Sequence, residues 1–203
     1  MKKLHLNIER VHIKAKDPGV LSTLIADVDK QMQKLVASTD SISALMAKYI
    51  TNNDGEQYDK ATTALRTLRK NICESAMTIN DLEMQVVAFQ NKVYRFEGSN
   101  KSAPPPKKIV IKEIKSTSHT NVQYGMSEMR IVATGLANYC ENARAAIKGI
   151  IMAKNRIGSV WVDPQFKDFS SVVDTVKLAA EKHIKELDLY VAYLNTRIKE
   201  FKS

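Results

Sequence analysis

Hydrophobic residues recur at alternating steps of four and three residues through the first half of the chain, which is the spacing of one face of an α-helix. Two such runs predict two long helices that pack through nearly continuous apolar faces. The first face comprises Leu21, Ile25, Val28, Met32, Leu35, Thr39, Ile42, Met46 and Tyr49, of which only Thr39 is polar. The second comprises Tyr58, Ala61, Leu65, Leu68, Ile72, Ser75, Ile79, Leu82, Val86, Phe89, Val93 and Phe96.

The second half of the chain shows the same spacing and predicts a third and a fourth helix. The third face comprises Val122, Met126, Met129, Ala133, Leu136, Cys140, Ala143, Ile147 and Ile150, and Thr120 with Gln123 forms a candidate capping box at its start. The fourth comprises Phe166, Phe169, Val173, Val176, Ala180, Ile184, Leu187, Val191, Leu194, Ile198 and Phe201. At an offset of 108 residues the first pair of faces matches the second, which indicates a tandem duplication.

A short segment of alternating apolar residues precedes each pair of helices. Leu4, Leu6 and Ile8 alternate before the first pair, and Ile109 and Ile111 alternate before the second. Period-two alternation is typical of a half-buried β-strand. Because an isolated two-stranded sheet is marginal in water, we expect the two strands to pair with each other and to lean on the helices.

The segment EGSNKSAPPPKK separates the two halves, and its composition predicts a stiff, extended connector. The sequence therefore divides into a first strand-helix-turn-helix repeat at 1–97, a proline-rich linker at 98–108 and a second repeat at 109–203. The expected fold class is mainly α: two tandem helical hairpins that form an antiparallel four-helix bundle, each preceded by a short β-strand.

The turn within each predicted hairpin has its own signals. Asn53, Asp54 and Gly55 mark the first turn. In the second, Asp163 is a candidate N-cap and Pro164 a candidate first helical residue, the arrangement that Asp17 and Pro18 also show before the first helix.

The only tryptophan, Trp161, lies just before the cap of the second turn. An apolar residue there can pack over the first turn of the following helix. We therefore interpret Trp161 as a plug that closes the end of the hairpin, and we favour this role over contact with a ligand.

The second hairpin resembles the WXG100 superfamily, whose members are small helical hairpins associated with type VII secretion. The resemblance covers residues 126–201 and is carried by Trp161 in the turn and by the run DPQF from Asp163 to Phe166. It implies a non-enzymatic protein that is a substrate, partner or adaptor of such a system. It also implies that the two halves pack together as a covalent pseudo-dimer.

Two features differ from the family pattern. Asp163 stands where the family motif has glycine. In addition, Tyr190 and Tyr193 are followed four residues later by Leu194 and Arg197, where the family's export signal has an acidic residue.

Charge and composition narrow the classes of function. The 203 residues include 31 Lys and Arg against 22 Asp and Glu, a formal net charge of +9. The basic residues are scattered and do not alternate with aromatic residues, so nucleic acid is not favoured as a partner. No run approaches the roughly 20 apolar residues of a membrane span, and polar residues interrupt any signal-peptide core. We expect a cytoplasmic protein, or one secreted by a route independent of a signal peptide.

Candidate catalytic chemistry is sparse. Cys73 and Cys140 form no CxxC motif, the four histidines are far apart, and phosphate-binding or nucleophile motifs do not occur. The sequence thus predicts no catalytic residue, no metal ligand and no cofactor, and favours a non-enzymatic helical protein–protein interaction protein. The alternatives are a structural component of a phage or injection-type particle and a basic nucleic-acid or anionic-surface binder.

The expected partner is another helical protein or a second copy of this chain. Four apolar residues outside the helical faces form a candidate partner face, although burial in a four-helix core explains them equally well. They are Val87, Ile131, Ile151 and Tyr193.

Overall fold

Four long helices make up most of the computed structural model, which describes residues 15–49, 55–109 and 125–201. Their bounds are Pro18–Tyr49 for α1, Gly55–Phe96 for α2, Met126–Val160 for α3 and Gln165–Glu200 for α4. Moved by 108 residues, the start of α1 coincides with the start of α3. The mainly helical class that the periodicity predicted is therefore confirmed.

The four helices form a bundle in which neighbours run antiparallel. α1 packs against α2 and α3, and α4 packs against the same two helices, so α1 and α4 lie on one diagonal. Two contacts show that α1 and α3 are antiparallel. Thr39 of α1 contacts Tyr139 of α3, whereas Lys16, before the start of α1, contacts Val160 at the end of α3. The Asp40–Arg69 ion pair joins α1 to α2 in the first hairpin.

Buried side chains from all four helices form one continuous apolar cluster. Every predicted face residue of α1 from Leu21 to Met46 is buried, Thr39 included. Close packing of such faces is the main stabilising contribution in a bundle of this size. The four described helices, two from each predicted repeat, thus share one core.

The predicted faces are wrong at two helix ends. Phe96 is 94% exposed and Phe201 is 60% exposed. Gly19, at the start of α1, faces Gln90, so Phe96 lies beyond the part of α2 that α1 can cover. Phe201 lies just past the end of α4, where the Arg197 guanidinium sits over its ring.

The fourth face also shifts along α4. Tyr190 is buried almost completely, whereas Val191, which the spacing placed in the core, is half-buried. The Tyr190 ring stacks on that of Tyr193 with 6.0 Å between centroids. The extra step of four residues earlier in this helix moves the buried stripe, as departures from a strict heptad do.

The predicted β-strands receive no support. Residues 4–13 and 110–114 lie outside the described residues, and the described Ile109 belongs to no strand. Within residues 15–49, 55–109 and 125–201 the β-pairing is one isolated antiparallel bridge between Ala15 and Trp161. Next to this bridge, Lys16 N donates to Val160 O at 2.9 Å.

The helix starts differ in how well the sequence predicted them. Asp17 Oδ1 accepts hydrogen bonds from the backbone N–H groups of Gly19 at 2.9 Å and Val20 at 3.0 Å, which confirms the predicted cap of α1. Thr120 and Gln123, the candidate capping box of the third helix, lie outside the described residues, and α3 begins at Met126. Gly125 is extended there, and its N–H donates to the Glu128 carboxylate at 3.0 Å.

Candidate functional site

The linker turns back along the bundle at a Schellman motif that ends α2. Gly98 has φ of 68°, the left-handed conformation that glycine adopts without strain. Ser99 N donates to Tyr94 O at 2.9 Å and Gly98 N donates to Arg95 O at 3.1 Å. These are the two backbone hydrogen bonds of the motif. The chain therefore leaves α2 pointing back over its surface.

Two asparagine side chains of α2 then hold the linker by its main chain. Asn91 Nδ2 donates to Ala103 O at 2.9 Å, and Ala103 N donates to Asn91 Oδ1 at 2.7 Å. Eleven residues earlier on the same helix face, Asn80 Nδ2 donates to Lys107 O at 3.2 Å and Asn80 Oδ1 accepts from Ile109 N at 2.9 Å. Together the two amides clamp both ends of the proline run.

The spacing of these contacts shows that the linker is extended. Eleven residues of α-helix rise about 16 Å. The chain from Ala103 to Lys108 covers that distance in five residue-to-residue steps only at about 3 Å per step, the rise of polyproline II. Ala103, Pro106 and Ile109 are half-buried whereas Pro104, Pro105 and both lysines are exposed, a period of three that fits the same conformation. The sequence-based expectation of an extended connector thus holds for the described linker.

A buried polar cluster underlies the linker between α1 and α2. Asn80 Nδ2 also donates to Asp29 Oδ2 at 3.2 Å, and Gln33 Nε2 donates to the same oxygen at 2.6 Å. The other oxygen, Asp29 Oδ1, is buried without a hydrogen-bond partner. Such an orphan acceptor is costly, and a protonated carboxyl close by is one group that could donate a hydrogen bond to it.

Glu83 is that neighbouring carboxyl. Burial, together with its hydrogen bond to Asp29 and the negative charge there, raises the pKa of Glu83 to about 7. Below that pH the Glu83 carboxyl can donate to the Asp29 carboxylate. Above it, two negative charges face each other in a buried site beneath the linker.

The four residues of the candidate partner face do not lie together. Val87 is 6% exposed on α2, on the stretch between Asn80 and Asn91 that the linker crosses, and we attribute its burial to the linker. Ile131 is 42% exposed near the start of α3. Ile151 and Tyr193 are partly buried against the core, on α3 and α4. Since α2 and α3 are diagonal in the bundle, no single surface contains all four.

Trp161 is buried where α3 passes into α4. Its ring lies 5.9 Å from that of Phe169 and 6.2 Å from that of Phe166, measured between centroids. The indole N–H donates to the Asp163 carboxylate, and the Trp161 backbone pairs with Ala15 in front of α1. The side chain thus packs within the turn of the second hairpin, and the backbone of the same residue joins this turn to the segment before α1.

Asp163 connects this aromatic cluster to the start of α4. Its Oδ1 accepts from Gln165 N at 2.8 Å, and α4 begins at Gln165, directly after Pro164. Asn53 and Asp54 of the first turn lie outside the described residues. Gly55 begins α2 with φ of 62°, again in the left-handed region.

The outer face of α4 displays two large apolar side chains. Leu178 is 64% exposed and Leu189 is 61% exposed. Eleven residues separate them, about three helical turns, so both project from the same side of the helix. Lys182 and Lys185 lie between them on this side and are exposed. We call these four residues the α4 stripe.

Ion pairs at the α3–α4 boundary hold this helix beside the core. Lys154 Nζ lies 2.7 Å from Asp174 Oδ1, and Arg144 pairs with Asp188. Each ion pair at such an exposed boundary contributes little to the free energy of unfolding, on the order of 0.5 kcal/mol. The orientation of the α4 stripe away from the core follows from the buried face of α4.

Within the described ranges, His, Cys, Asp and Glu side chains do not group in threes as a metal site would require. None of the four described helices has the apolar length that crossing a bilayer demands. Comparison of this chain with protein-family models, curated proteins and solved structures finds no match.

Proposed function

We propose that this chain is a non-enzymatic helical protein–protein interaction protein that binds another helical protein through the α4 stripe. The observation that carries the proposal is the exposure of Leu178 and Leu189 on one face of a long, well-supported helix. Two leucines three turns apart are the anchors that helix-to-helix recognition uses. At the offset of 108 residues the first hairpin has no leucine at either position, since Lys70 and Asp81 of α2 correspond to Leu178 and Leu189.

The charge of the stripe defines the chemistry of the partner. Lys182 and Lys185 separate the two leucines, and both are exposed. A partner helix that presents apolar residues at a matching spacing with Asp or Glu between them would satisfy both the leucines and the lysines. The electrostatic part of the interaction sets orientation and association rate more than affinity.

A WXG100-like role, as a type VII secretion-associated substrate, partner or adaptor, is part of this proposal. It is supported by the antiparallel hairpin of α3 and α4, with Trp161 at its turn and the run DPQF at the start of α4. Such a protein works in the cytoplasm or leaves by a route that needs no signal peptide. A particle-assembly component and a basic nucleic-acid binder are the competing functions.

Affinity purification from the native cell with paired variants tests the proposal. The double variant Leu178→Ser/Leu189→Ser removes both anchors, and Met77→Ser on α2, 40% exposed in the folded chain, is the matched control. A helical partner should be retained by the control and lost by the double variant. Its affinity, measured with purified components, should fall at least about tenfold, because buried apolar anchors each contribute more than about 1 kcal/mol.

Three results would contradict the proposal. A partner that binds the double variant as well as the control does not use the stripe. Nucleic acid as the sole co-purifying species, with binding that weakens steeply as salt rises, would favour the basic binder. Concentration-dependent assembly of the purified chain that both variants preserve would favour the particle component.

A further inference from the structure

The linker contacts α2 through its main-chain atoms along a surface that we call the α1–α2 groove, which is lined by Asn80 and Asn91 of α2 and backed by Asp29 of α1. The four hydrogen bonds described between α2 and the linker all involve linker N–H or C=O groups, and Asn80 and Asn91 supply the partner atoms. Asn91 makes a two-bond contact with one residue, Ala103, as one strand does with another. Recognition of this kind depends on backbone shape and needs no particular side chain.

Side chains of α1 hold Asn80 in the orientation in which it contacts the linker. Asn80 Nδ2 donates to Asp29 Oδ2 as well as to the linker, so the α1 carboxylate fixes which way the amide points. Gln33 donates to the same Asp29 oxygen at 2.6 Å and holds the carboxylate in place. Because Asp29 and Gln33 lie on α1 and not on the linker, we expect the Asn80 amide to stay aimed at the groove when the linker leaves.

The contacts define which extended segments fit. The residue at the position of Ala103 must carry an N–H, so proline is excluded there. The residue at the position of Ile109 must also carry one. Between them, three consecutive prolines lose no hydrogen bond and favour the extended conformation in advance. Small or apolar side chains are favoured at the first, fourth and seventh positions, which are half-buried.

We propose that the α1–α2 groove is a binding site for extended, proline-containing peptides, and that the linker Ala103–Ile109 is its resident ligand in cis. The ligand class is a main chain of polyproline II shape with N–H groups at the first and seventh positions. The proposal is independent of the α4 stripe, since the two sites lie on different helices. Its consequence is that the linker blocks the groove until a competing segment displaces it.

A full-length variant with residues 103–108 replaced by six Gly and Ser residues tests the site directly. The probe is a fluorescent synthetic peptide of sequence SAPPPKKI, followed by anisotropy. Saturable binding is expected, weakened about tenfold by Asn91→Ala, which removes two hydrogen bonds. The matched control Asn71→Ala, whose amide bonds only within its own helix to Thr67 O, should bind the peptide unchanged. Lack of saturable binding at millimolar peptide, or equal loss in the control, would overturn the proposal.

Hydrogen exchange in the unaltered chain gives a second readout if the variant fails to fold. The attached linker competes at an effective concentration on the order of millimolar, so the free peptide is added at several millimolar. Exchange at the amides of Ala103 and Ile109 should accelerate several-fold. A peptide with proline at the Ala103 position lacks the required N–H and should leave exchange unchanged. Equal acceleration by both peptides, or by neither, contradicts recognition of the main chain in this groove.

Discussion

The hydroxyl oxygens of Thr39 and Tyr139 lie 2.8 Å apart across the interface between α1 and α3. Thr39 Oγ1 also donates to Leu35 O at 2.7 Å, which uses its one hydrogen, so Tyr139 donates to Thr39. Burial raises the pKa of Tyr139 to about 12, and the phenol stays neutral at physiological pH. One satisfied polar pair thus joins α1 to α3 within an apolar core.

Removing either hydroxyl of this pair should destabilise the bundle. Tyr139→Phe is expected to lower the free energy of unfolding by about 1 kcal/mol, and Thr39→Val by about 1–2 kcal/mol because it leaves the tyrosine hydroxyl buried without an acceptor. The double variant should lose less than the sum of the two. Urea unfolding followed by circular dichroism measures all three, and strict additivity would show that the two hydroxyls do not interact.

The Trp161 side chain should be a major contributor to stability. Trp161→Ala removes a buried ring that packs against Phe166 and Phe169, so we expect a loss of about 3–5 kcal/mol in the free energy of unfolding. Val162→Ala, at the exposed next position, is the control and should change it by less than about 0.5 kcal/mol. Thermal unfolding followed by circular dichroism makes the comparison. A small effect of Trp161→Ala would refute the role of a structural plug.

Stability should depend on pH through Glu83. Its pKa rises from 4.5 in the unfolded chain to about 7 in the folded one, so the folded state binds the proton more tightly. The wild type therefore loses stability as pH rises from about 4.5 to about 7, by up to about 3 kcal/mol, and regains none above that.

Glu83→Gln keeps the donor to Asp29 at every pH and should remove this dependence. Urea unfolding at pH 5 and pH 8 gives the difference between variant and wild type. Glu74→Gln, at an exposed position of α2, is the matched control for the loss of a carboxyl group. If Glu83→Gln stabilises the protein no more at pH 8 than at pH 5, the two carboxyl groups do not share a proton.

Two glycines should respond to alanine in opposite directions. Gly98 has φ of 68° and open space around its Cα, so Gly98→Ala is expected to cost about 1 kcal/mol through backbone strain alone. Gly149 lies within α3, where an added Cβ meets the end of the flexible Gln31 side chain. Gly149→Ala should therefore be neutral or stabilise by up to about 1 kcal/mol. The melting temperatures of the two variants, compared with that of the wild type, test both expectations. A lower melting temperature for Gly149→Ala would show that the Gln31 side chain cannot move aside.

Both cysteines should resist thiol reagents in the folded protein. Burial raises the pKa of the Cys73 thiol, and it raises that of Cys140 to about 12. Since the thiolate is the reactive species, labelling by a disulfide reagent at pH 8 should be slow and should accelerate by orders of magnitude in denaturant. Fast labelling of one thiol in native conditions would reveal local opening around it.

The helical faces were predictable because they follow from local spacing. Each turn of an α-helix sets which side chains share a side, so the positions from Leu21 to Met46 could be assigned to the core from the sequence. The same reasoning failed at Phe96 and Phe201, since periodicity does not say where a neighbouring helix ends. The capping role of Asp17 was likewise predictable, because it acts on N–H groups two and three residues away.

The sequence predicted the conformation of the linker but not where the linker docks. Three consecutive prolines indicated an extended connector, and its conformation agrees with that. Its docking depends on Asn80 and Asn91 meeting residues 12 to 29 positions further along the chain. The one local signal is the spacing of eleven residues between two asparagines, which places both on one side of α2. Nothing in that spacing specifies what they bind.

Hydrophobic spacing, caps and proline act over a few residues, so the four amphipathic helices and the extended linker could be inferred from the order of residues alone. The contact of Thr39 with Tyr139, the bonds from Asn91 to the linker and the proximity of Glu83 to Asp29 depended on the packing of the whole bundle. These contacts join segments that are distant in sequence. They form only when the apolar faces of the helices pack against one another, because that packing brings the remaining polar groups together away from water.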